Sequence, residues 1–207
     1  MSKPKTQLFH IHGGNTFNSK EDYINFLKTR SVSIERKISW SDEYLRKKLG
    51  KKVHIIQPRM PCKDNSNYDE WKIHFERFFP YLTDNIILLG NSLGGMFLTK
   101  YLSENQFPRK ILAVYLTCPS FEDTSINKKQ TSGFILKEDL SLIKQNTDNI
   151  NLLFAKDDDV VPVSHAEKYR NKLPNAKITI FESKNGHFMI PEFPEIIKMI
   201  KKDLKSI

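Results

Sequence analysis

Short apolar runs recur along the chain at Leu8–Ile11, Val53–Gln57, Ile86–Leu89, Ile111–Leu116, Leu152–Ala155 and Ile178–Phe181. Most are continuous rather than alternating, the pattern of strands covered on both faces. Segments with helical character separate them, at about Lys20–Thr29, Asp42–Leu49, Tyr68–Leu82, Leu93–Glu104, Ser164–Leu173 and Pro194–Lys205. Ser164-His165-Ala166-Glu167 is a capping box just after Pro162, which sets a helix start there. Strands alternating with helices predict right-handed crossovers and a three-layer α/β/α sandwich around a mostly parallel sheet. No internal repeat or low-complexity linker divides the chain, so residues 1–207 are expected to form one domain.

Two segments interrupt the alternation. Pro58–Asn67 is a proline-rich polar loop before a helix carrying Trp71. The second runs from Pro119 to about Gln145, with polar Asp123–Gln130 followed by Gly133-Phe134-Ile135. Long connections in compact domains tend to be functional. Each follows a strand, so each is expected to border a site at the carboxyl edge of the sheet, although Asp123–Gln130 by itself reads as surface loop.

Composition narrows the classes. A chain of 207 residues can bury a real core, and 39% hydrophobic with 28% charged residues does not indicate disorder. Met1–Thr6 is basic but has no apolar stretch of signal length behind it, and no run approaches a membrane span. Cys62 and Cys118 are the only cysteines, which points to a reducing, cytoplasmic setting without a disulfide framework. The net charge of +9 raises the question of nucleic acid. The lysines are dispersed, however, and Lys198, Lys201, Lys202 and Lys205 form the solvated face of a terminal helix whose buried stripe is Phe193, Ile196, Ile197, Ile200 and Leu204. No basic motif interleaved with aromatics appears, so nucleic acid is not an expected partner. The charge would favour anionic substrates modestly.

Candidate chemistry centres on Ile86-Ile87-Leu88-Leu89-Gly90-Asn91-Ser92-Leu93-Gly94-Gly95, an apolar strand running into G-x-S-x-G and then into a helix. That strand–turn–helix context is the one in which the pattern signifies a nucleophile elbow. The bend strains Ser92 and lifts its hydroxyl above the sheet, and Gly90 and Gly94 lack the Cβ atoms that would collide there. A serine hydroxyl needs a base and an orienting acid, expected in the order Ser, Asp or Glu, His. Asn151–Ala155 reads as a strand ending in Asp157-Asp158-Asp159, and Lys177–Glu182 as the next, followed by Gly186-His187-Phe188. Each signal alone is ordinary: an aspartate run is usually a solvated loop, and Gly-His a polar turn. Three in the right order, each beyond the carboxyl end of a strand, form a site in the place where open parallel sheets build them.

The first strand leads into His12-Gly13-Gly14-Asn15. A loop amide near such a turn supplies one oxyanion donor, beside the amide of the residue after the serine. The expected pair is Gly14 and Leu93, with Asn15 the second choice for the loop donor. His10 and His12 could instead be an H-x-H metal pair on one strand face, but no ligand set at recognised spacing accompanies them.

Together these residues resemble the α/β-hydrolase superfamily, and within it the small serine hydrolases related to retinoblastoma-binding protein nine. The resemblance covers nearly the whole chain: the Pro58–Pro61 loop with Trp71, the elbow, Thr131-Ser132-Gly133-Phe134, the aspartate–Val-Pro motif and Gly186-His187-Phe188. It implies a compact α/β-hydrolase fold without a large lid. It also selects among the aspartates, because the superfamily's acid stands four residues before the proline of D-x-V-V-P. That is Asp158, with Asp157 and Asp159 as flanking solvated carboxylates. Two departures stand out: Asn91 where G-H-S is commoner, and His-Gly-Gly-Asn where some relatives have Pro-Gly-Asn. Leu116-Thr117-Cys118-Pro119-Ser120 lacks the glutamate of an L-x-C-x-E segment, so pocket-protein binding is not carried over.

The expected activity is cleavage of a small carboxylic ester, or an amide, by Ser92, His187 and Asp158, with no metal or organic cofactor required. The rival readings are a protein-interaction module that has kept the fold, and an acyltransferase. Phe17, Met60, Trp71, Phe134 and Phe188 are the candidate pocket-wall residues, since each lies in or beside a loop at the expected edge; Trp71 and Phe134 read equally well as loop anchors packed on the core.

Overall fold

The computed structural model describes residues 6–35, 38–121 and 132–207. The basic start at Met1–Lys5, the polar segment Asp123–Gln130 and Thr131 lie outside the described residues. Six strands are present: β1 (Thr6–Ile11), β2 (Val53–Ile56), β3 (Ile86–Asn91), β4 (Ile111–Thr117), β5 (Ile150–Ala155) and β6 (Lys177–Phe181). They form one sheet in the order β2-β1-β3-β4-β5-β6, with every neighbouring pair parallel. The expected mostly parallel sheet is thus entirely parallel among the described residues.

Helices α1 (Lys20–Thr29), α2 (Leu45–Leu49), α3 (Tyr68–Glu76), α4 (Leu93–Glu104), α5 (Ile143–Asn146), α6 (His165–Lys172) and α7 (Pro194–Asp203) fill the connections. Among the described residues no helix is long and apolar enough to cross a membrane. Helix α5 is unexpected, since it begins inside the segment read as a long connection, and two of the expected helices are differently bounded. The one expected over Asp42–Leu49 starts earlier, as a π-helical turn at Trp40–Tyr44 running into α2. The one expected over Tyr68–Leu82 stops at Glu76, and Phe79–Tyr81 is a separate 3-10 turn. Pro80 explains the break: it has no N–H to give the Glu76 carbonyl one turn back, and its ring would clash with that carbonyl in a continuous α-helix.

Burial follows the order of the strands. Ile86 to Leu89 of β3 are fully buried, as central strands must be when helices cover both faces. The edge strands β2 and β6 are only partly covered, so β6 carries exposed Ile180 despite its apolar sequence. Helix α4 is buried almost all round, which suits its lack of charge before Lys100. Its Phe97 and Tyr101 meet Phe75 edge-on at 5.4 and 5.1 Å, giving the core an aromatic centre under the elbow.

The strand order has one functional consequence. From β1 the chain goes outward to β2 and then returns to the other side of β1 as β3. A crevice forms outside the carboxyl ends of strands at such a reversal. The loops after β1 and β3 meet there, and the loops after β4, β5 and β6 open on the same edge.

Candidate active site

Ser92 stands between β3 and α4 with φ 51° and ψ −119°, a backbone region that an L residue occupies only when its surroundings force it. The surroundings are glycine contacts. A Cβ on Gly90 would come within 2.5 Å of the Gly94 carbonyl oxygen, and one on Gly94 would fall onto the Ile11 and His12 carbonyl oxygens. The elbow is therefore clamped between its own helix and the end of β1. The Ser92 amide donates to the Thr117 carbonyl at 2.8 Å, and the Thr117 hydroxyl donates to Asn91 Oδ1 at 2.9 Å, latching the bend to β4.

The loop after β1 lies against this bend. An ideal Cβ on Gly13 would stand 3.2 Å from Ser92 Cβ. His12 braces the loop with both ring nitrogens: Nδ1 donates to the Gly13 carbonyl at 2.6 Å, and Nε2 accepts from the Met60 amide at 2.9 Å. Burial, with help from Lys63 and Arg59, holds its pKa below the ordinary histidine value against the opposing Gly13 bond and Asp42, consistent with the neutral tautomer these bonds require. A metal-binding role for His12 conflicts with that use of its nitrogens. His10 is fully buried with the Asn91 side chain as its polar neighbour; burial drives its pKa down to about 3, against the opposing pull of Asn91, so it is neutral.

Leu93 follows Ser92 directly, and Gly14 lines the same cavity as Ser92. The Leu93 amide belongs to the first turn of α4, where no intrahelical acceptor exists. Gly14 packs under Ser66, Lys63 and Leu93. The Asn15 amide donates to the Lys63 carbonyl at 2.8 Å, so it is committed to the neighbouring loop and not turned toward an oxyanion.

The acid–base side comes from the loops after β5 and β6. His187 Nδ1 lies 2.9 Å from both carboxylate oxygens of Asp158, whose side chain is only 1% exposed. Asp158 Oδ1 also accepts from the amides of Val160 and Val161 at 2.9 and 2.8 Å. Burial by itself would raise the Asp158 pKa, but the His187 bond, the two amides and the attraction of the imidazole outweigh it, and the net shift is downward. A carboxylate so held keeps Nδ1 protonated and leaves Nε2 with its lone pair.

Asp157 is exposed, as expected of a flanking carboxylate, and it is also firmly hydrogen-bonded. Its carboxylate accepts from the Ser183 hydroxyl and from the amides of Lys184 at 2.9 Å and Gly186 at 3.1 Å. These bonds, the Ser183 one first, lower its pKa to about 2. Though exposed, Asp157 ties down the loop that delivers His187.

A cavity of about 370 Å³ brings these elements together, with Gly13, Gly14, Asn91, Ser92, Cys118, His187 and Phe188 on its wall. Among the described residues, the atom that meets His187 Nε2 is Cys118 Sγ, at 3.8 Å. Ser92 Oγ makes no hydrogen bond to Nε2, a looseness common before substrate binds. Of the five predicted wall residues only Phe188 lines this cavity. Met60, Trp71 and Phe134 are buried in the core instead. Trp71 donates from Nε1 to the Pro61 carbonyl at 2.8 Å and packs edge-on against Phe134, so both serve as anchors for the loops bordering the site. Phe17 packs on Tyr23 and Phe26, at 5.5 and 5.0 Å. Trp40 and Met189 line the cavity unforeseen. Trp40 comes from the π-helical turn, which apolar periodicity did not single out, and Met189 follows His187 by two residues.

An all-parallel sheet with this elbow and this edge defines an α/β hydrolase, and residues 36–196 match the serine hydrolase family, to which the chain belongs. No curated protein matches it in sequence. Among solved structures it is similar to the YdeN gene product of Bacillus subtilis, at 18% identity over 97% of this chain and 100% of that one, with a TM-score of 0.72. An α/β-hydrolase enzyme from a sediment metagenome of the Mar Chica lagoon, Morocco, is 18% identical, covering 98% of this chain and 92% of that one at a TM-score of 0.57. A lipase-esterase related protein from Clostridium acetobutylicum is 12% identical, covering 99% and 95% at 0.57. At these identities the likeness is one of fold.

Proposed function

We propose that this hydrolase cleaves small carboxylic esters, within one domain, through an acyl-enzyme formed on Ser92. The observation that carries the reading is the Asp158–His187 pair, with two 2.9 Å contacts, whose histidine stands on the wall of the cavity that also holds the strained Ser92. Ser92 Oγ attacks the substrate carbonyl while neutral His187 takes its proton on Nε2. The amides of Leu93 and Gly14 receive the developing oxyanion, a contribution worth about 10²–10³ in turnover for one donor. His187 then passes the proton to the departing alkoxide. Water enters, gives a proton to His187 and attacks the acyl group, and collapse of the second tetrahedral intermediate releases the acid and restores Ser92. Asp158 holds the imidazole in register and stabilises the imidazolium without taking its proton. A cavity of about 370 Å³ suits a small substrate.

Labelling with a fluorophosphonate probe tests the nucleophile directly. The intact chain should react at Ser92 and the Ser92→Ala variant should not. A series of p-nitrophenyl esters of increasing acyl length then tests the substrate class. Absence of both labelling and ester turnover in folded protein would overturn the reading. Turnover only when an alcohol or amine acceptor is supplied would assign acyl transfer instead.

A further inference from the structure

Cys118 follows β4 directly, with φ 41°, and its thiol points to the same wall as Ser92 and His187. Its side chain is buried, and burial, reinforced by the Asp158 charge, pushes its pKa well up despite an opposing bond from the Ser92 amide. The thiol is therefore a poor nucleophile as it stands. What it offers is position. Sulfur, an Asp158 oxygen and a His187 ring nitrogen all lie within 4.8 Å of one another, and Sγ faces Nε2 at 3.8 Å.

That separation has a metrical meaning. Zinc binds thiolate at about 2.3 Å and imidazole at about 2.0–2.1 Å, so ligands at angles of about 110–120° stand about 3.6–3.8 Å apart. Asp158 supplies the second feature of such a site. By holding Nδ1–H it aims the Nε2 lone pair at the sulfur side, the carboxylate–histidine–metal arrangement. The pairing of thiolate with imidazole selects zinc or a similarly soft cation over magnesium or calcium.

We propose that Cys118 Sγ and His187 Nε2 form a binding site for one soft divalent cation, zinc above all, whose occupation blocks hydrolysis. Binding breaks the S–H bond, releases that proton to solvent, and forms one bond to sulfur and one to Nε2, with no change of oxidation state. The remaining coordination positions open on the cavity, where water completes the shell. With its lone pair engaged, His187 cannot accept the Ser92 proton. The inhibitory consequence rests on the proposed role of His187; the metal site itself does not.

Calorimetric titration of the full chain with zinc chloride tests the site, in a Cys62→Ser background that removes the exposed thiol. One zinc per chain should bind, and adding Cys118→Ser or His187→Ala should weaken it by about 100-fold or more, since even outer-shell changes cost 10–100-fold. Cobalt in place of zinc should give the near-ultraviolet charge-transfer absorption of a thiolate ligand in the Cys62→Ser chain, a readout that needs no further variant. In the esterase assay, zinc should inhibit and EDTA should reverse it, and whatever activity Cys118→Ser retains should no longer respond to low zinc. Unchanged affinity in folded Cys118→Ser, or no thiolate absorption with cobalt, would overturn the site. Tight binding without any ester turnover in the metal-free chain would leave the site standing and count against the proposed hydrolysis alone.

Discussion

The two halves of the candidate site are held by different physics. The elbow side, β3 and α4, is fixed by close packing: fully buried strand residues, and glycines on which a Cβ would strike backbone. The acid–base side, beyond β5 and β6, sits at the sheet edge and is held by polar bonds, from Asp158 to His187, Val160 and Val161, and from Asp157 to Ser183, Lys184 and Gly186. Packing cannot be titrated, whereas carboxylate bonds can. The position of Ser92 should therefore answer to changes of volume and be indifferent to pH, and the position of His187 should do the reverse.

The largest effect should come from Ser92, the group proposed to form the covalent bond. Ser92→Ala leaves the backbone and its contacts intact, so far-UV circular dichroism should not change while ester turnover falls by about 10⁶, the scale of loss when such a serine is removed. Retention of a tenth of the activity would remove Ser92 from the mechanism. Asp158→Asn comes next. The amide cannot hold Nδ1 protonated in the same way, and turnover should fall by about 10⁴ through the wrong tautomer. Asp159→Asn is its control and should have little effect on the rate.

On the packed side, Gly94→Ala asks whether sterics alone hold the elbow. The new methyl meets the Ile11 and His12 carbonyls, which belong to the end of β1 and cannot swing aside as a side chain would. Overpacking costs about 1–3 kcal/mol, and rigid backbone puts this case near the upper end. At about 2–4 °C per kcal/mol for a chain of this size, thermal melting should show a fall of about 6–12 °C, the same at pH 5 and pH 8. A melting temperature unchanged by the substitution would show that the clamp is not sterically tight.

The difference between the halves also governs what could be read from the sequence. Packed elements announce themselves: unbroken apolar runs marked the central strands, and G-x-S-x-G between strand and helix marked Ser92. Lys20–Thr29 and Leu93–Glu104 were legible to the residue because a cap or a sharp bend delimits them. The cavity wall was less legible, since an aromatic in a loop can turn inward or outward with no local trace. Trp71 and Phe134 turned inward, and Trp40 reached the cavity from a π-helical turn. Contacts between distant loops leave still less signal. Nothing local to Asp157 shows that it meets a loop 26 to 29 residues later, and nothing local to Cys118 shows that it meets His187.

Asp157→Asn should have the smallest effect and is the sharpest test of the polar half. The residue touches neither Ser92 nor the His187 ring, so turnover should fall by less than about 10²-fold, the cost of roughly 1 Å of misplacement. Its pKa is about 2 in the folded chain, against about 3.9 for an unperturbed aspartate. Because the folded value is the lower one, the unfolded chain binds the proton more readily. The stabilisation is fully present above about pH 4 and is lost as pH falls toward about 2. Melting temperatures of the wild-type and Asp157→Asn chains should therefore differ by a constant amount from pH 5 to pH 8 and converge as the buffer is taken from pH 4 to pH 2. Hydrogen exchange at the amides of Lys184 and Gly186 should speed up in the variant at neutral pH, and in the wild type only within that acid window. A difference in melting temperature that persisted unchanged to pH 2 would mean that Asp157 acts through packing, and the contrast between the two halves of the site would fail at its simplest point.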